Sequence, residues 1–237
     1  MNTIPPSYLT PLFVTGIGTG VGKTLISAIV TEALGAHYWK PVQAGFDEGT
    51  DSQWVAARIT GPERRIHPET YKLALPASPH IAARAEGLTI DLDRIAAALA
   101  AIQGTPTAAP ASPSPPASGP ANRPLIIEGA GGLLVPLTPS VFVLDLIKKL
   151  DARVLLVSRN YLGSINHSLL TAEVCKTHGL KVAGWIFNDQ YLHYEQEIAA
   201  WTGLPVLASI PHTDDPDATF VRQQAARIRP ALLATLT

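Results

Sequence analysis

Between Gly16 and Thr24 the chain reads Gly-Ile-Gly-Thr-Gly-Val-Gly-Lys-Thr. These residues can do polyphosphate chemistry. A polyphosphate needs many hydrogen-bond donors at close range, and glycines let backbone N–H groups turn inward with no Cβ in the way. A helix predicted from about Lys23 through Leu34 adds its positive N-terminal end. Lys23 can then reach the β/γ-phosphates, and the Thr24 hydroxyl can sit on magnesium. The common spacing is Gly, four residues, Gly-Lys-Ser/Thr. Counting back from Gly22 on that rule lands on Ile17, and the glycine lies one residue earlier, at Gly16. The loop therefore predicts a bound nucleotide, in a slightly stretched form.

Four further clusters carry reactive groups. Lys40-Pro41-Val42-Gln43-Ala44-Gly45 follows an apolar run. A lysine at the carboxyl end of a strand can stabilise charge moving through a phosphoryl-transfer transition state. Asp51-Ser52 falls on the next loop, with Asp47 and Glu48, and Glu128-Gly129-Ala130-Gly131-Gly132 closes a later strand. Magnesium takes oxygen ligands and keeps waters, so Thr24, Asp51 and Glu128 make its expected set. Each carboxylate alone reads as a surface residue; position relative to the loop is what selects them. Gly163-Ser164-Ile165-Asn166-His167 opens a helix, with Ser164 or Asn166 as cap, whose free N–H groups can hold a carboxylate. Asn188-Asp189 offers an amide able to pair with an adenine edge.

These groups need a scaffold that brings strand ends together. Apolar runs at Leu12–Thr15, His37–Lys40, Leu125–Glu128, Arg153–Ser158, Val182–Phe187 and Val206–Ile210 read as strands. Between most of them lie the amphipathic stretches Thr24–Leu34, Ile95–Ile102, Val141–Leu150, Asn166–Thr177 and Tyr194–Trp201. The alternation predicts an α/β fold, a mostly parallel sheet flanked by helices on both faces in three α/β/α layers. In such sheets ligands bind at the carboxyl ends of the strands, where Lys40, Glu128 and Asn188-Asp189 fall.

Composition narrows the class. The 237 residues are 46% hydrophobic, enough for one α/β domain spanning 1–237. Lys+Arg number 18 against Asp+Glu 19 with no charge block, which argues against nucleic acid or an anionic membrane as partner. No apolar run approaches membrane-spanning length and the start lacks a signal-peptide pattern, so a cytoplasmic protein is expected. A lone Cys175 in a helical pattern reads as a small core residue. Gln103 to Pro124 is rich in Pro, Ala and Ser, and is expected to form a flexible surface loop.

Taken in order, the motifs resemble dethiobiotin synthetase. They are the stretched loop Thr15–Thr24, Lys40-Pro41-Val42-Gln43, Ser78-Pro79-His80, Glu128–Gly132, Gly163–His167 and Ala183–Asp189. The resemblance covers about Phe13 to Pro211 and implies a P-loop NTPase-like fold. It also implies ATP-dependent ring closure: 7,8-diaminopelargonate, CO2 (or bicarbonate) and ATP give dethiobiotin, ADP and phosphate, through a carbamate and a carbamic-phosphoric anhydride. Carried over by position, Lys23 and Lys40 would stabilise the γ-phosphate and carbamate charge. Gly20, Val21, Gly22, Thr24 and Leu25 would hold ATP from the loop, with Asp51, Glu128, Gly129, Ala130 and Gly131 beside it. Asn188 would read adenine, Asp189 would also bind ATP, Pro211, His212 and Thr213 would line the base pocket, and Asp217 would lie near the ribose or base. Thr19, Lys40 and Ala44 would face the diamine.

The resemblance further implies a homodimer, in which the substrate carboxylate rests on the Ser164, Ile165 and Asn166 helix start of the other chain. Three positions depart from the family pattern: Ala44 stands where a small hydroxyl residue often follows, Gly20 where some members are acidic, and Asp217 aligns only across a one-residue gap. Two rivals share the loop. A switch ATPase that positions chromosomes or septa carries a second lysine near Gly18, and a cobyrinate-type amide ligase needs a glutaminase domain with a nucleophilic cysteine.

Overall fold

A computed structural model of the chain describes residues 10–104, 124–189 and 191–236. Seven strands form one sheet in the order β4-β2-β6-β1-β7-β8-β9. They are β1 (Leu12–Gly16), β2 (His37–Trp39), β4 (Ile66–His67), β6 (Leu125–Gly132), β7 (Arg153–Arg159), β8 (Val182–Asn188) and β9 (Val206–Ile210). Every ladder between them is parallel. Strand β3 (Val42–Ala44) pairs in parallel with β5 (Tyr71–Leu73) as a separate ribbon beside it.

Side chains alternate across the sheet, so adjacent residues serve two different cores. On one face Val14, Tyr38, Ile126 and Val157 pack with α1 (Lys23–Leu34) and α8 (Ala218–Leu236). On the other, Phe13, Trp39, Ile127, Leu156 and Phe187 meet α4 (Leu92–Ile102), α5 (Val143–Lys149), α6 (Ser164–Thr177) and α7 (Glu195–Thr202). The three expected layers are present. Cys175 lies in the second core, 1% exposed, and burial pushes its thiol up to about 12.

Several boundaries differ from the sequence expectation. Three short strands, β3, β4 and β5, and three helices, α2 (Asp51–Ala56), α3 (Pro79–Ala85) and α8, were not expected. Strand β2 ends at Trp39, so Lys40 is the first residue past it. Strand β6 continues to Gly132, placing Glu128 in mid-strand opposite Val14. Asp51 sits not on a loop but at the start of α2, where Thr50 and Gln53 form a reciprocal capping box. Helix α6 is capped by neither Ser164 nor Asn166: Gly163 holds the cap position at φ +104°, with no side-chain cap. Of the Gln103–Pro124 segment expected to be a flexible loop, residues 105–123 lie outside the described residues.

Candidate active site

The loop between β1 and α1 sits over the middle of the sheet, since β1 pairs with β6 on one side and β7 on the other. Gly22 caps α1 at φ +89°, a left-handed conformation suited to glycine, and no side chain caps the helix. The first-turn N–H groups of α1 are thus left facing the loop. Lys23 is 8% exposed and its ammonium donates to the Gly18 carbonyl at 2.8 Å. Burial is the main influence on Lys23 and Lys40 adds repulsion. Attraction to Glu128 and Asp51 offsets them only in part, leaving its pKa lowered to about 8.

Four groups meet beside this loop, from α1, α2, β6 and the residue after β2. Thr24 Oγ1 lies 2.9 Å from Glu128 Oε1 and 3.1 Å from Asp51 Oδ1; its one proton serves one carboxylate at a time. The Lys40 ammonium bonds Glu128 Oε1 at 3.0 Å and also contacts Asp51 Oδ2. Burial pulls the Lys40 pKa down, yet Glu128 and Asp51 outweigh it and hold it above its ordinary value. Lys40 and Glu128 are nearly inaccessible, so this charge cluster works in a low-dielectric setting. A hydroxyl and two carboxylates converging on one point fit a hard divalent cation, with phosphate and water oxygens completing its shell. Among the described residues no group of three or more His, Cys, Asp or Glu could hold a metal by itself.

Two neutral side chains brace the cluster, one at a carboxylate and one at the backbone, and sequence reasoning assigned neither a role. Tyr38 OH donates to Glu128 Oε2 at 3.0 Å. Gln43 Oε1 accepts the Asp51 backbone N–H at 3.2 Å, while its Nε2 donates to the Gly45 carbonyl at 2.8 Å. The cluster opens on a cleft of about 750 Å³. Thr19, Gly20 and Gly22 line one side with Lys23 and Thr24, and Ala44, Ala130, Gly131, Pro76 and Ser78 line others. A Cβ at Gly129 would strike the Phe13 ring at 2.6 Å, and that glycine lets β6 pass close to β1.

The remaining candidates lie apart from this cleft's lining. Val21 is buried and its carbonyl accepts from Asn188 Nδ2 at 3.1 Å, so Asn188 braces the loop from the end of β8. Leu25 packs against the α1-side core. Asp189 pairs with Arg159 at 3.3 Å and lies 3.7 Å from His212, which follows Pro211 at the end of β9. Thr213 Oγ1 bonds the Asp215 carbonyl, and Asp217 Oδ1 accepts the Phe220 N–H at 2.7 Å, capping α8. Ser164 is buried, its hydroxyl 2.6 Å from Tyr194 OH, and Ile165 packs partly into the second core. Asn166 lines a different groove of about 550 Å³, with Trp201 and Leu170.

Residues 10–219 match the family described as AAA domain. An ATP-dependent dethiobiotin synthetase from Cytophaga hutchinsonii is 47% identical over 199 residues, covering 84% of this chain and 86% of that protein. Enzymes of the same name from Rhodopseudomonas palustris and Novosphingobium aromaticivorans are each 39% identical. Both alignments span 92% of this chain, and 92% and 96% of theirs. Among solved structures, the Aquifex aeolicus MinD cell division protein superposes with a TM-score of 0.56 at 15% identity, covering 95% of this chain and 96% of that one. A ParA family ATPase from Chlorobium tepidum gives 0.51 at 15% identity, covering 97% and 96%. At that identity the likeness to MinD and ParA shows a shared fold alone.

Proposed function

This chain belongs to the family of ATP-dependent dethiobiotin synthetases, and from that premise we propose how its residues close the ureido ring. One amine of diaminopelargonate adds to CO2 and loses a proton, forming a carbamate. A carbamate oxygen attacks the γ-phosphorus of ATP, ADP leaves, and a carbamic-phosphoric anhydride results. The second amine attacks the carbonyl carbon and loses a proton, the ring closes, and phosphate departs.

The residues of the cluster divide this work. The α1 N-terminus and Lys23 bind the β- and γ-phosphates. Lys40, entering from the end of β2, balances charge that develops on the transferring group and on the carbamate. Thr24, Asp51 and Glu128 would hold magnesium, which would supply countercharge to the phosphates. The single observation that carries this assignment is the meeting of Lys40, Thr24, Asp51 and Glu128 beside the phosphate loop. Asn188 spends one amide hydrogen on Val21, which leaves its second hydrogen and its carbonyl oxygen for an adenine edge. Asp189, Pro211, His212, Thr213 and Asp217 would flank that base.

We place the substrate between two copies of the chain. Ser164–Asn166 does not line the chain's own 750 Å³ cleft, and its helix start carries no side-chain cap, which favours a carboxylate arriving from a partner. The exposed Leu134 and Leu170 border a groove that also touches Thr19, and such apolar surface suits a subunit contact.

A coupled assay of ADP release tests the reading. Turnover should require diaminopelargonate and bicarbonate together. Rapid ADP release by the chain alone, unchanged on adding both, would favour a switch ATPase instead.

A further inference from the structure

Glu128 is the most enclosed acid of the cluster, at 1% exposure, and its two oxygens have different partners. Oε1 faces the Thr24 hydroxyl at 2.9 Å and the Lys40 ammonium at 3.0 Å. Oε2 faces the Tyr38 hydroxyl at 3.0 Å. The reach of that contact follows from the register. Tyr38 lies opposite Ile126 in the parallel ladder of β2 and β6, so Glu128 is two residues further along. Two residues advance a strand by about 6.6 Å and return the side chain to the same face. A tyrosine is long enough to cover that offset. Tyr38, Ile126 and the α1 side chains share that face, which is also where Thr24 enters.

We propose that Tyr38 is a positioning residue, whose hydroxyl pins Glu128 Oε2 and thereby aims Oε1 at the cation and the transferring phosphate. This rests on the reading of Glu128 as a magnesium ligand. The terminal torsion of a glutamate is broad, so an unpinned carboxylate could turn both oxygens onto Lys40. The ammonium would then compete with magnesium for them. A phenol suits the task because it donates without adding charge. Its ring is fully buried in the core that the sheet shares with α1, which limits how far the hydroxyl can swing.

Tyr38→Phe keeps the ring and removes only the donor. The experiment titrates ADP into the protein by calorimetry, once with saturating Mg2+ and once in EDTA, for the wild type, Tyr38→Phe and Glu128→Gln. The ratio of the two affinities reports what the metal adds. Loss of an outer hydrogen bond to a metal ligand typically costs about 10-fold or more. Tyr38→Phe should therefore cut the Mg2+ enhancement about 10-fold and raise the Mg2+ concentration needed for half-maximal turnover. Its ADP affinity in EDTA should stay within two-fold of wild type. If Tyr38→Phe keeps the full enhancement while Glu128→Gln loses it, the positioning role is wrong and the metal assignment stands. If Glu128→Gln also keeps it, the metal assignment itself fails. A drop in ADP affinity of equal size with and without Mg2+ would mark Tyr38 as a packing residue and overturn the proposal.

Discussion

Asn188 and Gly22 are locked together: the Asn188 amide bonds the Val21 carbonyl at 3.1 Å and fills the space that a Cβ on Gly22 would need. Gly22 also holds φ +89°, where an L side chain is strained. Gly22→Ala should therefore strain the helix start and push Asn188 off the loop. We expect a lower melting temperature and ATP affinity weakened at least about 10-fold, since about 1–2 kcal/mol of backbone strain adds to the lost bond. Calorimetry and thermal melts check both; near-normal ATP binding would remove Asn188 and Gly22 from the site.

Lys23→Ala and Lys40→Ala should fail differently. Lys23 opens α1 at the end of the loop, and on the proposed assignment its loss should weaken ATP binding as well as chemistry. Lys40 comes from beyond β2, and its proposed role is to act on charge that develops during transfer. Removing one preorganised charge of this kind costs on the order of 100- to 1000-fold in rate. Lys40→Ala should keep ATP affinity within a few-fold while single-turnover rates collapse. Near-normal turnover would reduce Lys40 to a structural counter-ion of Glu128 and Asp51.

Lys23 should also leave a mark on stability. Its folded pKa, about 8, lies below its ordinary 10.5, so between those values the unfolded chain holds more protons. Stability then rises with pH across that window, and the penalty for a buried charge is fully present below pH 8. A fall from 10.5 to about 8 corresponds to roughly 3–4 kcal/mol at about 1.4 kcal/mol per unit. Lys23→Met should gain most over the wild type at pH 7, and the gain should shrink as pH climbs above 8. Denaturant titrations of both proteins across that range measure it; a gap that does not change with pH would contradict the assigned burial.

The sequence made the central sheet and its loop readable because both depend on local pattern. Apolar runs announce β1, β6, β7, β8 and β9, and the glycine spacing before Lys23 marks the proposed polyphosphate site. The short strands β3, β4 and β5, at two or three residues, carry too little periodicity to stand out. Helix α2 did have a signal, the Thr50-x-x-Gln53 capping pair, and reading it would have moved Asp51 from a loop to a helix start. Helix α3 had one too, Pro79 at its first position. Tyr38 had none: its partner Glu128 is 90 positions away, and only the parallel register of β2 and β6 brings them together. The Ser164 hydroxyl was likewise illegible, since its buried contact with Tyr194 joins the start of α6 to the residue before α7.

The most direct test of the account follows oxygen. If a carbamate oxygen attacks ATP in this cluster, one oxygen from bicarbonate must end in the phosphate released at ring closure. Turnover with heavy-oxygen-labelled bicarbonate, diaminopelargonate, Mg2+ and ATP, followed by mass spectrometry of the products, reads this out. The account predicts labelled inorganic phosphate formed in step with dethiobiotin and ADP. Unlabelled phosphate under those conditions would mean that water, not the carbamate, attacks the γ-phosphorus, and the proposed roles of Lys40 and Lys23 would fall with it.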